Sequence, residues 1–496
     1  MTRLRMVAAA IGSVLIYVLG TSSLHAAAPQ RPNILVISVD DVSWFEHSVY
    51  GLTDLPTPNV DRIFKSGIRF QNAFTSAPSC APSRAAILCG RPFWQNEQGA
   101  FMQAYFPKKF PTYPQILAKQ GYACAQVGKT WGPGIVPKEG HSSSCAGDNY
   151  NKYRLNHKER PYLYPFDYVP AFKEFLNKRD SKKPFCFWAG IFEPHGSWLA
   201  PPKALKLAKA EFGVDLNKIK YGYYEGNKVI PRKPPHGYYY EMLYLDREIG
   251  KMLDLLEDKG LLENTIVIYI GDNGTPVSGV NASGNKIASG KSGTIARAKA
   301  SAYDSGVHVP MACMWKNKTK GGRVVSDFIC GADIAPTLLE AAGVTIPGTI
   351  TGRSFLDILT SPKSGQIDPK RDFIMTGMEF HYNNTQSEAT RTIRDARYEY
   401  IYRFEDRSEE FYDLKADYRE TTNLINDGKY KNHIERLRSK MKAYGKKAGD
   451  PRFTGEMAIF KETRQYVYKR RELNFEDKNE AKGRTWDQVL KKKGIR

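Results

Sequence analysis

The chain is expected to be α/β: a large mixed, mostly parallel sheet sandwiched by helices, with a smaller C-terminal α+β subdomain. Three observations predict this. Short continuous apolar runs recur, such as Asn33 to Val39 (NILVISV) and Phe185 to Ile191 (FCFWAGI), and strands buried on both faces read this way. Helical patterns closed by glycine lie between them. From about residue 371 the runs shorten while charge and tyrosine become denser.

The elements follow in order. The strand at 33–39 comes after Pro32. A helix is expected from Pro58 through Phe64, with proline early and Gly67 as its stop. Ala85 to Cys89 belongs to a helix that starts near Ser83 and ends at Gly90, and Tyr113 to Gln120 is helical up to Gly121. Tyr122 to Val127 reads as a strand, Ala171 to Lys178 as a helix, and Tyr239 to Lys259 as a long amphipathic helix. Thr265 to Ile270 and Val309 to Met314 are strands, and Ile334 to Ala342 is a helix ended by Gly343. Strands alternating with helices imply a mostly parallel sheet covered on both faces. In the last part, Tyr398 to Phe404 is strand-like and Ile434 to Tyr444 is its one helix. The expected division is a signal peptide at 1–28, a larger α/β domain at 29–370 and a C-terminal subdomain at 371–496.

Composition narrows the function. With 41% hydrophobic and 25% charged residues over 496 positions, the chain is not disordered, collagenous or a coiled coil. Seven cysteines in this length exclude a small disulfide scaffold. The formal charge of +21 suits an anionic partner: nucleic acid, membrane or an acidic or sulfated glycan. The N-terminus chooses among them. Arg3 and Arg5 precede an apolar run from Met6 to Leu19, and Ala26, Ala27 and Ala28 offer a cleavage site. The run is short of the roughly 20 residues a membrane span needs. Export to the periplasm or medium is therefore expected, without stable membrane insertion or nucleic-acid binding and with an uncleaved anchor as the alternative, which makes sulfated or acidic carbohydrate the better partner class.

In parallel sheets ligands bind beyond the carboxyl ends of the strands. Asp40 and Asp41 follow the first strand, Gly128 and Lys129 the one at 122–127, Glu193 and His195 the one at 185–191, and Asp272 and Asn273 the one at 265–270. Adjacent carboxylates repel unless a cation lies between them, and this oxygen set suits calcium or magnesium. A lone Asp after a strand equally caps the next helix, Lys129 equally snorkels, and His195 equally fills a core. On spacing alone both readings stand. Gly290, Lys291 and Ser292 resemble the end of a phosphate-binding loop, but Asn285 stands where that motif needs glycine, so no nucleotide site is expected.

Residues 80–84, CAPSR, followed by AAILCGR at 85–91, resemble the signature of the type I, formylglycine-dependent sulfatases of the alkaline-phosphatase-like superfamily. The likeness extends to TPNVDR at 57–62, KASAYDSGVHVP at 299–310, DIAPTLLEAAG at 333–343 and EFYDLKADYRETTNL at 410–424, covering about residues 31–425. The resemblance implies that Cys80 is oxidised to formylglycine by a formylglycine-generating enzyme during export, and that one hydroxyl of its hydrate attacks sulfur while the second later expels sulfate. It implies calcium held by Asp40, Asp41, Asp272, Asn273 and residue 80. It also gives Arg84 the task of orienting the diol, Lys129 and Lys299 that of binding sulfate oxygens, and His195 that of protonating the leaving alcohol. One departure stands out. The family's His two or three residues after this lysine is missing, with Thr130, Trp131 and Gly132 in its place. His141 is the nearest candidate to replace it, Trp131 is a candidate sugar platform, and His308, where Arg is common, is a candidate pocket residue. Cys89 and Cys186 read as buried thiols, while Cys124 with Cys145, or Cys313 with Cys330, are open as disulfides.

The expected protein is thus an exported, calcium-dependent hydrolase of sulfate esters or N-sulfates of carbohydrates, active in sulfated-polysaccharide degradation. The rival enzyme is a phosphodiesterase or phosphonate hydrolase on the same scaffold. The rival of another class is an inactive glycan-binding protein of this fold.

Overall fold

A computed structural model describes residues 31–496 apart from 157, 159, 161, 197, 226–227, 232–234, 277–297, 382–388, 473–480 and 496. The expected signal peptide and the near-miss phosphate loop at 290–292 lie outside the described residues.

The chain order begins β1 (Asn33–Val39), α1 (Pro58–Ser66), β2 (Ile68–Phe74), α2 (Cys80–Cys89), α3 (Tyr113–Lys119), β3 (Ala123–Gly128) and β4 (Asp148–Asn149). It continues with α4 (Tyr168–Lys178), β5 (Phe185–Ile191), α5 (Pro201–Phe212), the hairpin β6 (Gly222–Glu225) and β7 (Lys228–Pro231), then α6 (His236–Asp258) and β8 (Thr265–Gly271). After α7 (Asp304–Val307) come β9 (Met311–Met314), β10 (Arg323–Cys330), α8 (Ile334–Ala341) and α9 (Leu356–Thr360). The last part holds β11 (Phe373–Met378), β12 (Thr390–Asp395), β13 (Tyr398–Arg403) and β14 (Glu409–Asp413). Four helices follow: α10 (Lys431–Lys447), α11 (Pro451–Thr454), α12 (Ala458–Glu472) and α13 (Trp486–Lys492).

The large sheet has eight strands in the order β10-β2-β9-β8-β1-β5-β3-β4. All its pairings are parallel except those of β9, which runs antiparallel to both β8 and β2. β1, β5 and β8 are buried along their whole length, which explains their uninterrupted apolar sequences. Alternate residues of β1 feed two cores. Ile34 and Val36 pack with Leu88 of α2, Leu117 of α3 and Leu338 of α8. Leu35, Ile37 and Val39 pack with Ile63 of α1, Phe172 of α4 and Leu253 of α6. A second, antiparallel sheet, β11-β12-β13-β14, forms the C-terminal subdomain with its helices. Among the described residues no helix is long and apolar enough to cross a membrane.

The structure differs from expectation in four respects. β2 and β10 were not expected; they lie at one end of the sheet, and β2 alternates buried Ile68 and Phe70 with half-buried Arg69 and Gln71, which breaks the apolar run. α5 and the β6–β7 hairpin were also absent from the reading. Among the described residues the last part has four helices rather than one, because α12 and α13 carry many charges that hide their periodicity. Finally, all seven cysteines are free. Cys313 and Cys330 lie on β9 and β10 with β2 between them, opposite Ile68 and Phe74 of that strand, so two strand spacings across and six residues along the sheet put them beyond disulfide reach. Cys124 pairs in register with Cys186, and its Sγ donates to the Pro114 carbonyl, leaving Cys145 unbonded to it.

Candidate active site

Strand order assembles the site. β8, β1, β5 and β3 are consecutive and parallel, so their carboxyl ends set Asp272 and Asn273, Asp40 and Asp41, His195, and Lys129 side by side. The nucleophile position comes from α2, which begins at Cys80 itself, earlier than the expected Ser83, with Ser79 as its N-cap. Every residue of α2 is buried, and Gly90 in the left-handed region closes it. Lys299 arrives from the segment between β8 and α7.

Of these residues, Asp41, Cys80, Lys129, His195 and Lys299 line one pocket of about 840 Å³. Lys299 Nζ lies 3.2 Å from Cys80 Sγ, which lies 3.4 Å from Asp40 Oδ1. Lys129 forms an ion pair with Asp40, and Lys299 with Asp41. One ligand atom from each of Asp40, Asp41, Cys80 and His195 lies within 4.8 Å of the other three. Burial works to raise the Asp40 carboxyl, but Lys129, His195, Lys299 and Arg84 outweigh it and hold it well below the usual carboxylate range. Burial pushes Asp41 and Asp272 up to about 6 despite their cationic neighbours. Burial, with Asp40 adding to it, pushes the Cys80 thiol up to about 12, so the unmodified thiol stays protonated at neutral pH. Burial, then Lys299, lowers His195 to about 4.

Arg84 is fully buried behind this surface. Its Nε donates to Asp272 Oδ2 at 2.6 Å and its Nη1 to the Lys129 carbonyl at 2.7 Å, while Nη2 has no partner among the described residues. It thus ties the β8 and β3 ends to α2. Three non-glycine residues at or beside the pocket have positive φ: Asp41 at 67°, Gln103 at 65° and Ala300, next to Lys299, at 64°. Such conformations cost about 1–3 kcal/mol and persist where surrounding structure imposes them.

Hydrogen bonds link Asp41, Asp272 and Asn273. The Asp41 backbone N–H donates to Asp272 Oδ1 at 3.2 Å, and Asn273 Nδ2 donates to Asp41 Oδ1 at 2.7 Å. Asn273 Oδ1 is buried with no partner among the described residues. An orphaned amide oxygen beside three buried carboxylates is a donor set that fits a hard cation.

Other expectations are corrected. His308 lies outside the pocket, stacked between Trp44 and Phe74, with Nδ1 on Asp304 and Nε2 on the Gln71 carbonyl. Both nitrogens are committed, so it packs rather than meeting substrate. His141 is also absent from the pocket lining; it packs on Phe106 with Nε2 on the Phe110 carbonyl. Trp131 does line the pocket, with its Nε1 donating to the Ser142 carbonyl. The lining residues that escaped the sequence reading include Trp198, His381 and Arg470. His381 bonds through Nδ1 to Ser79 Oγ at 2.9 Å, next to Cys80. It follows β11 and Arg470 sits on α12, so the C-terminal subdomain supplies part of the wall. No local signal marks either residue, because only docking brings them to the pocket.

Comparisons with known proteins agree with this geometry. Residues 32–344 match the family model described as Sulfatase, and 297–447 match one described as N-sulphoglucosamine sulphohydrolase, C-terminal. An ulvan-active sulfatase of Formosa agariphila is 27% identical over 86% of this chain and 82% of its own length. An N-acetylglucosamine-6-O-sulfatase of Bacteroides thetaiotaomicron is 26% identical over 92% of this chain and 95% of its own. A solved structure in complex with its substrate D-glucosamine-2-N,6-O-disulfate shares the fold, with a TM-score of 0.64, 22% identity and coverage of 85% of this chain and 99% of that one. The Sulfatase match spans most of the chain and contains every residue that the strand ends and α2 bring together. The chain belongs to the formylglycine-dependent sulfatase family and is a sulfuric ester hydrolase.

Proposed function

We propose that the protein removes sulfate from sulfated carbohydrates after export to the periplasm or medium, using calcium and a formylglycine made from Cys80. The observation that carries the reading is the shared pocket: Cys80, Lys129, Lys299 and His195 line it together with Trp131 and Trp198. Its volume of about 840 Å³ exceeds what a sulfate group alone needs and admits sugar rings. The relatives named for ulvan and N-acetylglucosamine 6-O-sulfate support carbohydrate as the substrate class. Apolar residues 6–19 and the alanines at 26–28 support export. The division between a catalytic part ending near 370 and a C-terminal subdomain is supported by the antiparallel sheet that starts at Phe373.

Asp40, Asp41, Asp272 and Asn273 would hold calcium, which when bound supplies charge neutralisation at the sulfate oxygens. Formylglycine at residue 80, once formed, supplies an oxygen nucleophile in place of an unreactive buried thiol. Cys80 is 1% exposed, so a formylglycine-generating enzyme reaches it before the chain folds. Lys129 and Lys299 hold the sulfate oxygens, and the first turn of α2 favours negative charge beside residue 80. With the negative charge of bound sulfate beside it favouring the doubly protonated ring, His195 gives the proton on Nε2 to the leaving alcohol oxygen as that oxygen parts from sulfur.

The test measures sulfate release from defined sulfated sugars beside hydrolysis of a phosphate diester. Sulfate release should dominate, vanish in Cys80→Ala, disappear on chelation and return with calcium. Mass spectrometry of the residue-80 peptide should show thiol lost and aldehyde gained. A fully active Cys80→Ala enzyme, or one faster on the diester, would sink the reading.

A further inference from the structure

His195 has two ring nitrogens in different surroundings. Nε2 faces the reacting side, 3.9 Å from Asp41 Oδ2. Nδ1 faces away from it, 2.6 Å from the Tyr164 hydroxyl and 3.0 Å from the Gly196 carbonyl. A carbonyl only accepts, so the contact with Gly196 places a hydrogen on Nδ1, and the Tyr164 oxygen accepts from the same N–H. Nε2 is then the nitrogen left to exchange a proton with substrate.

Tyr164 is itself firmly held. Its ring stacks on Phe192 with centroids 4.3 Å apart and planes at 20°, and Phe192 stacks in turn on Phe166. Its backbone N–H donates to Glu193 Oε1 at 3.0 Å, and Glu193 Oε2 accepts from the Tyr168 hydroxyl at 2.7 Å. Tyr164 is not among the residues lining the pocket, whereas Phe192 and His195 are. It therefore stands one layer behind the substrate. His195 comes from a loop beyond β5, and its side chain is about one-third exposed, so the strand alone does not set its ring orientation.

We propose that Tyr164 is a positioning residue that acts through His195: its hydroxyl holds the imidazole so that Nε2 points at the leaving-group oxygen. The inference rests on the reading of His195 as proton donor. Without the hydroxyl only the longer contact with the Gly196 carbonyl holds Nδ1, and the ring is less firmly set.

The test is Tyr164→Phe, which keeps the ring stacked on Phe192 and removes only the hydroxyl. Turnover of a sulfated sugar, whose alkoxide leaves poorly, should fall about tenfold or more with KM little changed, and that of nitrophenyl sulfate should fall far less. In a His195→Ala background the substitution should have no further effect. A downfield proton resonance from His195 Nδ1–H, assigned by its absence in His195→Ala, should be lost or shifted in Tyr164→Phe. A leaving-group-dependent His195→Ala beside a Tyr164→Phe enzyme that behaves as wild type overturns the role of Tyr164 alone. Equal losses on both substrates in His195→Ala remove the proton-donor reading, and this inference with it.

Discussion

At the scale of single residues, burial sets which charges the molecule can tolerate. Arg84 and Asp272 are both fully buried and paired, and removing one partner of such a pair strands the other. His47 shows the opposite solution. Its Nε2 meets the Tyr269 hydroxyl at 2.8 Å, its Nδ1 is buried without a partner among the described residues, and burial lowers it to about 3. The native state therefore refuses a proton that the unfolded chain takes up near pH 6.5, so stability is lost as pH falls below that value. Between pH 7 and pH 5 this one group should cost about 2 kcal/mol. Denaturant unfolding of His47→Gln should show a pH dependence flatter by about that amount, even if the variant is less stable at pH 7. Parallel curves for the two proteins would remove His47 from the account.

At the scale of elements, the approach of β3 to β5 positions Lys129. Gly128 pairs with Gly190 across the two strands, and the Lys129 N–H donates to the Gly190 carbonyl at 2.8 Å. The Lys129 carbonyl accepts from Arg84 Nη1 and, at 2.9 Å, from Trp188 Nε1. A Cβ on Gly190 would lie 1.8 Å from that same carbonyl oxygen. Backbone held from both sides has little room to yield, so Gly190→Ala should cost at least the roughly 1–3 kcal/mol typical of overpacking. Because the displaced atoms belong to Lys129, sulfate release should drop about tenfold or more as well. Thermal melting and sulfate release together check this; a stable, fully active variant would show that the strands can separate without moving the lysine.

At the scale of the whole molecule, the C-terminal subdomain is part of the enzyme rather than an appendage. Asp304 on α7 pairs with Arg394 of β12, and its backbone N–H donates to Glu420 at 3.0 Å. Through this docking His381 and Arg470 reach the pocket. The formal charge of +21 adds a longer-ranged effect. If it steers a polyanionic substrate, added salt should weaken apparent affinity for a sulfated polymer, because steering is screened beyond about 8–10 Å at physiological ionic strength. A monosulfated sugar should respond much less. Initial rates against salt for the two substrates decide whether the charge recruits substrate or merely solvates the surface.

The sequence by itself determined the sheet's central strands and the groups at their ends. β1, β5 and β8 are buried on both faces, so their apolar runs are continuous, and period-free hydrophobicity is legible locally. CAPSR at 80–84 was likewise legible, because one short segment carries it. The half-exposed β2 and the charged late helices were not, since alternation and charge hide them from a local reading. Only the tertiary structure decided that His308 and His141 are packing residues, because Trp44, Phe74 and Gln71 around His308, and Phe106 and Phe110 around His141, lie in other elements. It alone brought His381 to Ser79, 302 positions away in the chain, and Tyr164 to His195. Contacts of that kind depend on how loops dock, which no local pattern of residues encodes.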